Sequence, residues 1–293
     1  MVHYKNYIIT IALLAITFVP FTLGAQGIKP QNIYRVAVRS WYVIENGKRT
    51  PKYFAAEQLI SDSLGRLHTE IVFDRATQTP SNYKWHYFDN LTKVQTRYFT
   101  SEGLERIEVY EKNSENRISK LILKSVSPGD TSLLMSVAYK YNPNGTVAST
   151  RGINPKGKKG FVAKYKYDLQ GTEIERKVKG SKLLPPDSIL YLKRVPVYDS
   201  LNRITREVVK TKMFAKGEAT NVYTYKFNEK GLLVEKTISD GSENLKNRIE
   251  YIYRSDSRIN QIIVYDAQGN LLSHEAWRYE IYKTNDRRNR VLE

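Results

Sequence analysis

The chain has 293 residues, 47 Lys+Arg against 30 Asp+Glu for a net charge of +17, no cysteine, and 22 tyrosines against 9 phenylalanines. That length suits one large domain or two ordinary ones, and an apolar share of 41% is enough for a folded core, which excludes wholesale disorder. The absence of cysteine excludes a disulfide scaffold, a thiolate metal site, a cysteine nucleophile and a lipid-modified N-terminal cysteine.

Residues 1–25 carry the pattern of a secretory signal peptide. Lys5 supplies a positive start, Tyr7 to Leu23 is an uncharged apolar run, and Leu23-Gly24-Ala25 places small residues before Gln26. Pro20 inside the run argues against a retained spanning helix. Lys5 is the only charged side chain removed, so the mature chain is expected to keep +16. No second apolar run of spanning length follows, so no transmembrane span is expected after cleavage. Export without cysteine fits a bacterial periplasm or cell surface better than a eukaryotic secretory route.

From Gln26 onward the apolar residues alternate with period two rather than 3.6. Ser136–Tyr141, Val222–Phe227 and Arg248–Tyr253 are β-branched and aromatic runs closed by turn residues, which predicts an all-β fold of antiparallel hairpins. Residues 26–130 form an N-terminal β region with degenerate repeats, and 131–282 hold regular repeats. Residues 283–293 form a basic polar tail. The break at Ser127–Ser132 reads as a loop within one continuous sheet.

The repeats share a turn. An aromatic residue is followed four positions on by Gly, Asn or Ser, and usually two further on by an aliphatic. Examples are Tyr141–Val147, Tyr198–Ile204, Phe227–Leu233 and Tyr265–Leu271, while Tyr167-Asp168-Leu169-Gln170-Gly171 delays its aliphatic to Ile174. Asp168, Asp199 and Asp266 can accept hydrogen bonds from backbone amides two residues on, which starts the turn. Gly171, Asn202, Gly231 and Gly269 tolerate the positive φ that lets the chain return. Anchors at 141, 167, 198, 227 and 253 give separations of 26, 31, 29 and 26 residues, so each unit holds about two strands and two loops.

These Tyr-Asp-x-x-Gly turns at Tyr167 and Tyr265, with Tyr198-Asp199 ending in Asn202, resemble the YD repeats of Rhs-type bacterial surface and toxin proteins and of shorter exported relatives. The resemblance covers residues 136–282 well and 55–125 loosely, and implies a β-repeat fold. At this length the long shells of that family are not expected, nor is a toxin domain after the tail. The expected architecture is an extended twisted sheet, an open solenoid or a partial barrel.

No residue pattern points to catalysis. His68, His86 and His274 are not spaced as metal ligands, and no nucleophile elbow, phosphate loop or dinucleotide fingerprint stands in suitable context. Glu173/Glu175 and Glu105/Glu108 are read as surface charge pairs rather than a glycosidase dyad. No enzyme activity, cofactor or metal is expected. The excess of Lys and Arg gives a long-range attraction for polyanions. In an exported compartment the partners would be an anionic glycan, a lipid headgroup or an envelope protein, and not nucleic acid. Tyr139/Tyr141, Tyr165/Tyr167 and Tyr223/Tyr225 each share one face of a strand, as the core of a two-layer packing or as an aromatic binding surface. The expected function is an exported non-enzymatic binding or scaffold protein of the cell envelope, presenting a basic aromatic surface to an anionic component. An accessory subunit of an outer-membrane or surface assembly is the first alternative, and a glycan-active hydrolase the second.

Overall fold

The structure, a computed structural model, describes residues 33–89, 92–180, 183–185, 187–283 and 291–292. The signal-peptide stretch 1–25 lies outside the described residues, as does all of the tail 283–293 except Lys283, Val291 and Leu292.

The period-two runs form strands throughout. In the first half these are β1 (Ile33–Glu45), β2 (Lys48–Asp62), β3 (Leu67–Phe73), β4 (Pro80–Asp89), β5 (Thr92–Thr100), β6 (Gly103–Lys112), β7 (Ile118–Ser127), β8 (Asp130–Tyr141) and β9 (Val147–Ile153). The second half holds β10 (Lys159–Tyr167), β11 (Glu173–Lys179), β12 (Ile189–Tyr198), β13 (Ile204–Met213), β14 (Gly217–Phe227), β15 (Leu233–Asp240), β16 (Leu245–Tyr253), β17 (Ile259–Asp266), β18 (Leu271–Lys283) and the short β19 (Val291–Leu292). Ser127–Ser132 is a tight hairpin in which β7 and β8 pair from Ser127↔Asp130 to Lys120↔Ala138, with one register shift between Leu123 and Lys124.

Each strand from β1 to β17 pairs antiparallel with the next, and β1 returns to pair with β18, from Ile33↔Lys283 to Trp41↔Glu275. The product is a closed 18-stranded barrel, with β19 pairing only Glu280 and Ile281 of β18. The expected open sheet, solenoid or partial barrel is thereby corrected. Hairpins alone leave two unpaired edges, and closure satisfies the backbone donors and acceptors of both. The closing pairs join residues more than 230 positions apart, as the Arg39–Glu275 contact illustrates with a separation of 236. Among the described strands, Cα atoms come within 8 Å only between hydrogen-bonded neighbours and between β2 and β18, which flank β1.

The register carries one face continuously around the barrel. It runs through Glu70, His86, Thr96 and Glu108, then Leu123, Val137, Thr150, Ala163, Arg176, Arg194, Glu207 and Tyr223, and closes through Ile238, Ile262, Glu275 and Trp41. This is the inner face, where a concave wall crowds side chains together: Thr96, Glu207, Val137, Phe161, Ala163 and Val209 are buried on it. The opposite, convex face carries the exposed Lys140, Lys164, Lys166, Lys193, Lys210 and Lys212. It is not wet everywhere, since Val36, Ile71 and His274 on the same outer side are buried.

Candidate functional site

The turn units sort by rim. Antiparallel connection puts every turn that follows an even-numbered strand at one rim, here the upper, and every turn that follows an odd-numbered strand at the lower. The anchors Tyr141, Tyr167, Tyr198, Phe227 and Tyr253 therefore all stand at the upper rim, and Tyr265 at the lower. In each unit the Asx carboxyl or amide oxygen organises the loop. Asp168 accepts from the amides of Gln170 (3.1 Å) and Thr172 (2.8 Å), and Asp199 from Leu201 and Arg203 (both 2.9 Å). Asp266 likewise accepts from Gln268 (2.9 Å) and Asn270 (2.8 Å). Gly171, Asn202, Gly231 and Gly269 all sit at positive φ, between 58° and 84°. A register shift falls at the anchor in these hairpins, as between Lys166/Tyr167, Val197/Tyr198 and Lys226/Phe227, so the aromatic marks a bulge.

Three further copies, starting at Asn113, Asn154 and Asp240, have the same paired backbone bonds but no aromatic before them. Their signal is an Asx followed three positions on by a residue at positive φ: Asn116, Gly157 and Glu243. A search keyed to the aromatic passes over them.

The anchors also clasp neighbouring units. Tyr141 donates its hydroxyl to the carbonyl of Ile118 (2.7 Å), Tyr253 to Leu233 (2.8 Å) and Tyr279 to Ile259 (3.0 Å). Each acceptor opens the strand after the preceding upper-rim turn. Tyr198 bonds Asp168 (2.6 Å) and Thr172 (2.7 Å) of its preceding turn. Where a turn ends in arginine, the guanidinium covers an aromatic ring on the next even-numbered strand: Arg66 on Phe88 (5.4 Å), Arg117 on Tyr141 (5.6 Å), Arg203 on Phe227 (4.5 Å) and Arg258 on Tyr279 (4.6 Å).

The inner face carries three charged networks. Across β3–β6, Glu70 binds Lys84 (2.8 Å) and His86 (2.7 Å), and His86 meets Thr96 (3.0 Å). Thr96 meets Tyr110 (3.2 Å), whose hydroxyl donates to Glu108 (2.7 Å). Glu70–His86–Thr96 has the connectivity of a carboxylate–imidazole–hydroxyl relay, but Thr96 is 0% exposed, so its hydroxyl meets other side chains and not a substrate. Burial lowers the His86 pKa against the opposing pull of Glu70. Across β12–β15, Glu207 holds Arg194 (2.7 Å) and accepts from Tyr225 (2.6 Å). Beside them, Lys236 lies over the rings of Tyr223 (4.6 Å) and Tyr225 (5.6 Å), its pKa lowered by burial. At the closing seam, Arg39 lies between Trp41 (5.6 Å) and Trp277 (6.0 Å) and pairs with Glu57 (3.2 Å) and Glu275 (3.4 Å).

All six tyrosines read from the sequence, Tyr139, Tyr141, Tyr165, Tyr167, Tyr223 and Tyr225, stand on this inner face and are half-buried. Tyr165 meets Thr150 (3.2 Å), and burial raises the pKa of Tyr139. The lysines between them, Lys140, Lys166 and Lys226, point the other way. On these strands the six tyrosines therefore face inward and the lysines between them outward, so they do not form one basic and aromatic surface. Among the described residues no cluster of three or more His, Cys, Asp or Glu could hold a metal ion, and no helix is long and apolar enough to cross a membrane.

On the outer face of β8–β14 the register aligns charged residues into lateral rows. One runs Lys140–Ser149–Lys164–Lys177–Tyr191–Lys212–Glu218 and a second Lys166–Glu175–Lys193–Lys210–Thr220. A third runs Ala138–Arg151–Val162–Lys179.

No protein-family model and no curated protein matches the chain. The YD-repeat resemblance thus rests on the turn units alone. Among solved structures the chain is similar to a porin-like protein from Bacteroides uniformis ATCC 8492, at 12% identity over 86% of this chain and 98% of that one, with a TM-score of 0.41. It is also similar to the structure of TcdB2-TccC3, at 14% identity over 84% of this chain and 16% of that one, with a TM-score of 0.34. A porin-like protein from Bacteroides vulgatus ATCC 8482 follows at 7% identity, 82% and 96% coverage and a TM-score of 0.30. All three scores are low, and the barrel described above stands on its own strand register.

Proposed function

We propose that this is an exported, non-enzymatic β-barrel binding or scaffold protein of the bacterial cell envelope, whose basic outer wall is held against an anionic envelope component. The observation that carries this reading is the division of charge between the faces. Inner-face cations such as Arg39, Arg194 and Lys84 have carboxylate partners, whereas Lys140, Lys164, Lys166, Lys193, Lys210 and Lys212 stand exposed on the outer face. The signal-peptide pattern of residues 1–25 supports a periplasmic or cell-surface location. A membrane-crossing barrel would need an outward apolar band about 25 Å tall. Lys164, Lys177, Lys193 and Lys210 stand outward near the middles of their strands and oppose that.

A second reading, a subunit of a surface assembly, is favoured by one outer patch. Val195 (52% exposed) and Val197 (48% exposed) stand on β12 beside Val208. The test is retention of the mature protein on native envelope material across a salt series. Retention at low salt that is lost at high salt supports the first reading. Retention unchanged by salt favours the second, and no retention overturns both.

A further inference from the structure

We propose that the outer wall of β8–β14 is a binding site for a linear polyanion, a flexible chain carrying sulfate, phosphate or carboxylate groups, seated on the three lateral rows. This rests on the reading above and deepens it by assigning the surface and the ligand class.

The first row carries four cations, the second three and the third two, against only Glu175 and Glu218. Nine cations and two carboxylates leave a local excess of seven. The two carboxylates are shared: Glu175 bridges Lys166 and Lys177 (both 2.6 Å), and Glu218 lies 3.2 Å from Lys210 and 3.7 Å from Lys212. The lysine heads remain open, with Lys166 at 70%, Lys177 at 59% and Lys212 at 53% exposure.

Two features separate this patch from ordinary surface lysines. Lys164 stands directly opposite Lys177, and Lys193 opposite Lys210. Like charges in register across a sheet are destabilising, so the fold tolerates repulsion that a bound polyanion would relieve. The rows also run across the strands, around the barrel rather than along it. Adjacent strands lie about 4.8 Å apart, so the first row extends roughly 29 Å over seven strands. Seven strands are more than a third of an 18-stranded circumference, and a flat bilayer touches a convex wall only along a narrow line. A flexible polymer can follow the curve and meet cations at successive strands.

The experiment uses the mature protein, heparin as the linear polyanion and phosphatidylglycerol vesicles as the membrane arm, each across a sodium chloride series. The quadruple variant Lys164→Gln, Lys177→Gln, Lys193→Gln, Lys210→Gln is compared with Lys48→Gln, Lys52→Gln, Lys230→Gln, Lys246→Gln, which removes the same charge elsewhere. The expected result is a rise of about tenfold or more in the heparin Kd and a shallower salt slope for the first variant, with less than about a twofold change for the second. The variant relieves two like-charge pairs and loses the exposed ion pairs of Lys177 with Glu175 and Lys210 with Glu218, each worth about 0–1 kcal/mol, so its Tm is expected to stay close to wild type, which separates loss of the site from loss of the fold. Equal weakening in both variants overturns the site, as does vesicle binding that depends on the rows while heparin binding does not. Wild-type heparin binding that the first variant keeps overturns the site alone. No binding of the wild type to heparin or vesicles at low salt overturns the parent reading as well.

Discussion

Asp62 is 2% exposed at the start of the β2–β3 turn. Burial pushes its carboxyl up, but bonds from His68 (3.0 Å), Arg66 (2.6 Å to the side chain) and the amide of Leu64 (2.9 Å) outweigh it and hold the pKa at about 2. A folded value below the unfolded one gives stability that is present above the unfolded pKa and lost as pH falls toward 2. Asp62→Asn is expected to cost about 1–3 kcal/mol at neutral pH. In unfolding titrations its gap to wild type should close between roughly pH 4 and 2, and a gap that persists at the acid end would reject the account. His86 and His274 act in a higher window. Burial depresses both, so protonation is resisted in the fold, and stability should fall as pH drops below the ordinary histidine value of 6.5. Gly152 is a steric matter: a Cβ there would lie 2.1 Å from the ring of Phe161, its cross-strand partner. Gly152→Ala should destabilise by about 1–3 kcal/mol through displacement of that ring, measured as a lower Tm.

At the scale of the element, the hairpin and its neighbour are joined by the anchor hydroxyl. Tyr198→Phe keeps the ring and removes the bonds to Asp168 and Thr172. A loss of about 0.5–1.5 kcal/mol is expected in denaturant unfolding with the m-value unchanged. Phe227 already occupies an equivalent place without a hydroxyl, and there Arg203 covers the ring. The hydroxyl is therefore an addition to ring packing rather than a condition for the turn. Tyr141, Tyr198, Tyr253 and Tyr279 show this use, since a packed ring and a hydroxyl aimed at the neighbouring hairpin need one residue with both properties.

For the whole molecule the decisive pairing is β1 with β18. Loop-closure entropy grows only logarithmically, by about 0.6 kcal/mol per doubling of the separation, so a long-range seam is affordable if its local contacts are strong. Arg39, Trp41, Trp277, Glu57 and Glu275 supply such contacts at that seam. Val38 pairs with Gln58 on one side and Arg278 on the other. Val38→Pro should cost about 3 kcal/mol or more by removing a ladder bond from a strand paired on both sides. Exposed β1 and β18 edges should then drive association, seen as oligomers in size-exclusion chromatography. A monomeric variant with wild-type stability would contradict the closed barrel.

Period-two alternation and the Asx-x-x-Gly/Asn turns were enough to specify strands, hairpins and the loops between them, because each depends on residues within about one repeat. They also separated tyrosine from lysine, since neighbours on a strand must face opposite ways. Nothing in a repeat of 26–31 residues states how many hairpins will accumulate before the sheet meets itself. That depends on twist and stagger summed over eighteen strands, and only the tertiary structure decided it. Closure in turn settled which face became concave. It placed Tyr139, Tyr141, Tyr165, Tyr167, Tyr223 and Tyr225 on the inner wall, where the hairpin register sets Glu70, His86 and Thr96 side by side from three strands. The register between successive strands aligned lysines from β8, β10, β11, β12 and β13 into rows that no linear reading of the chain contains.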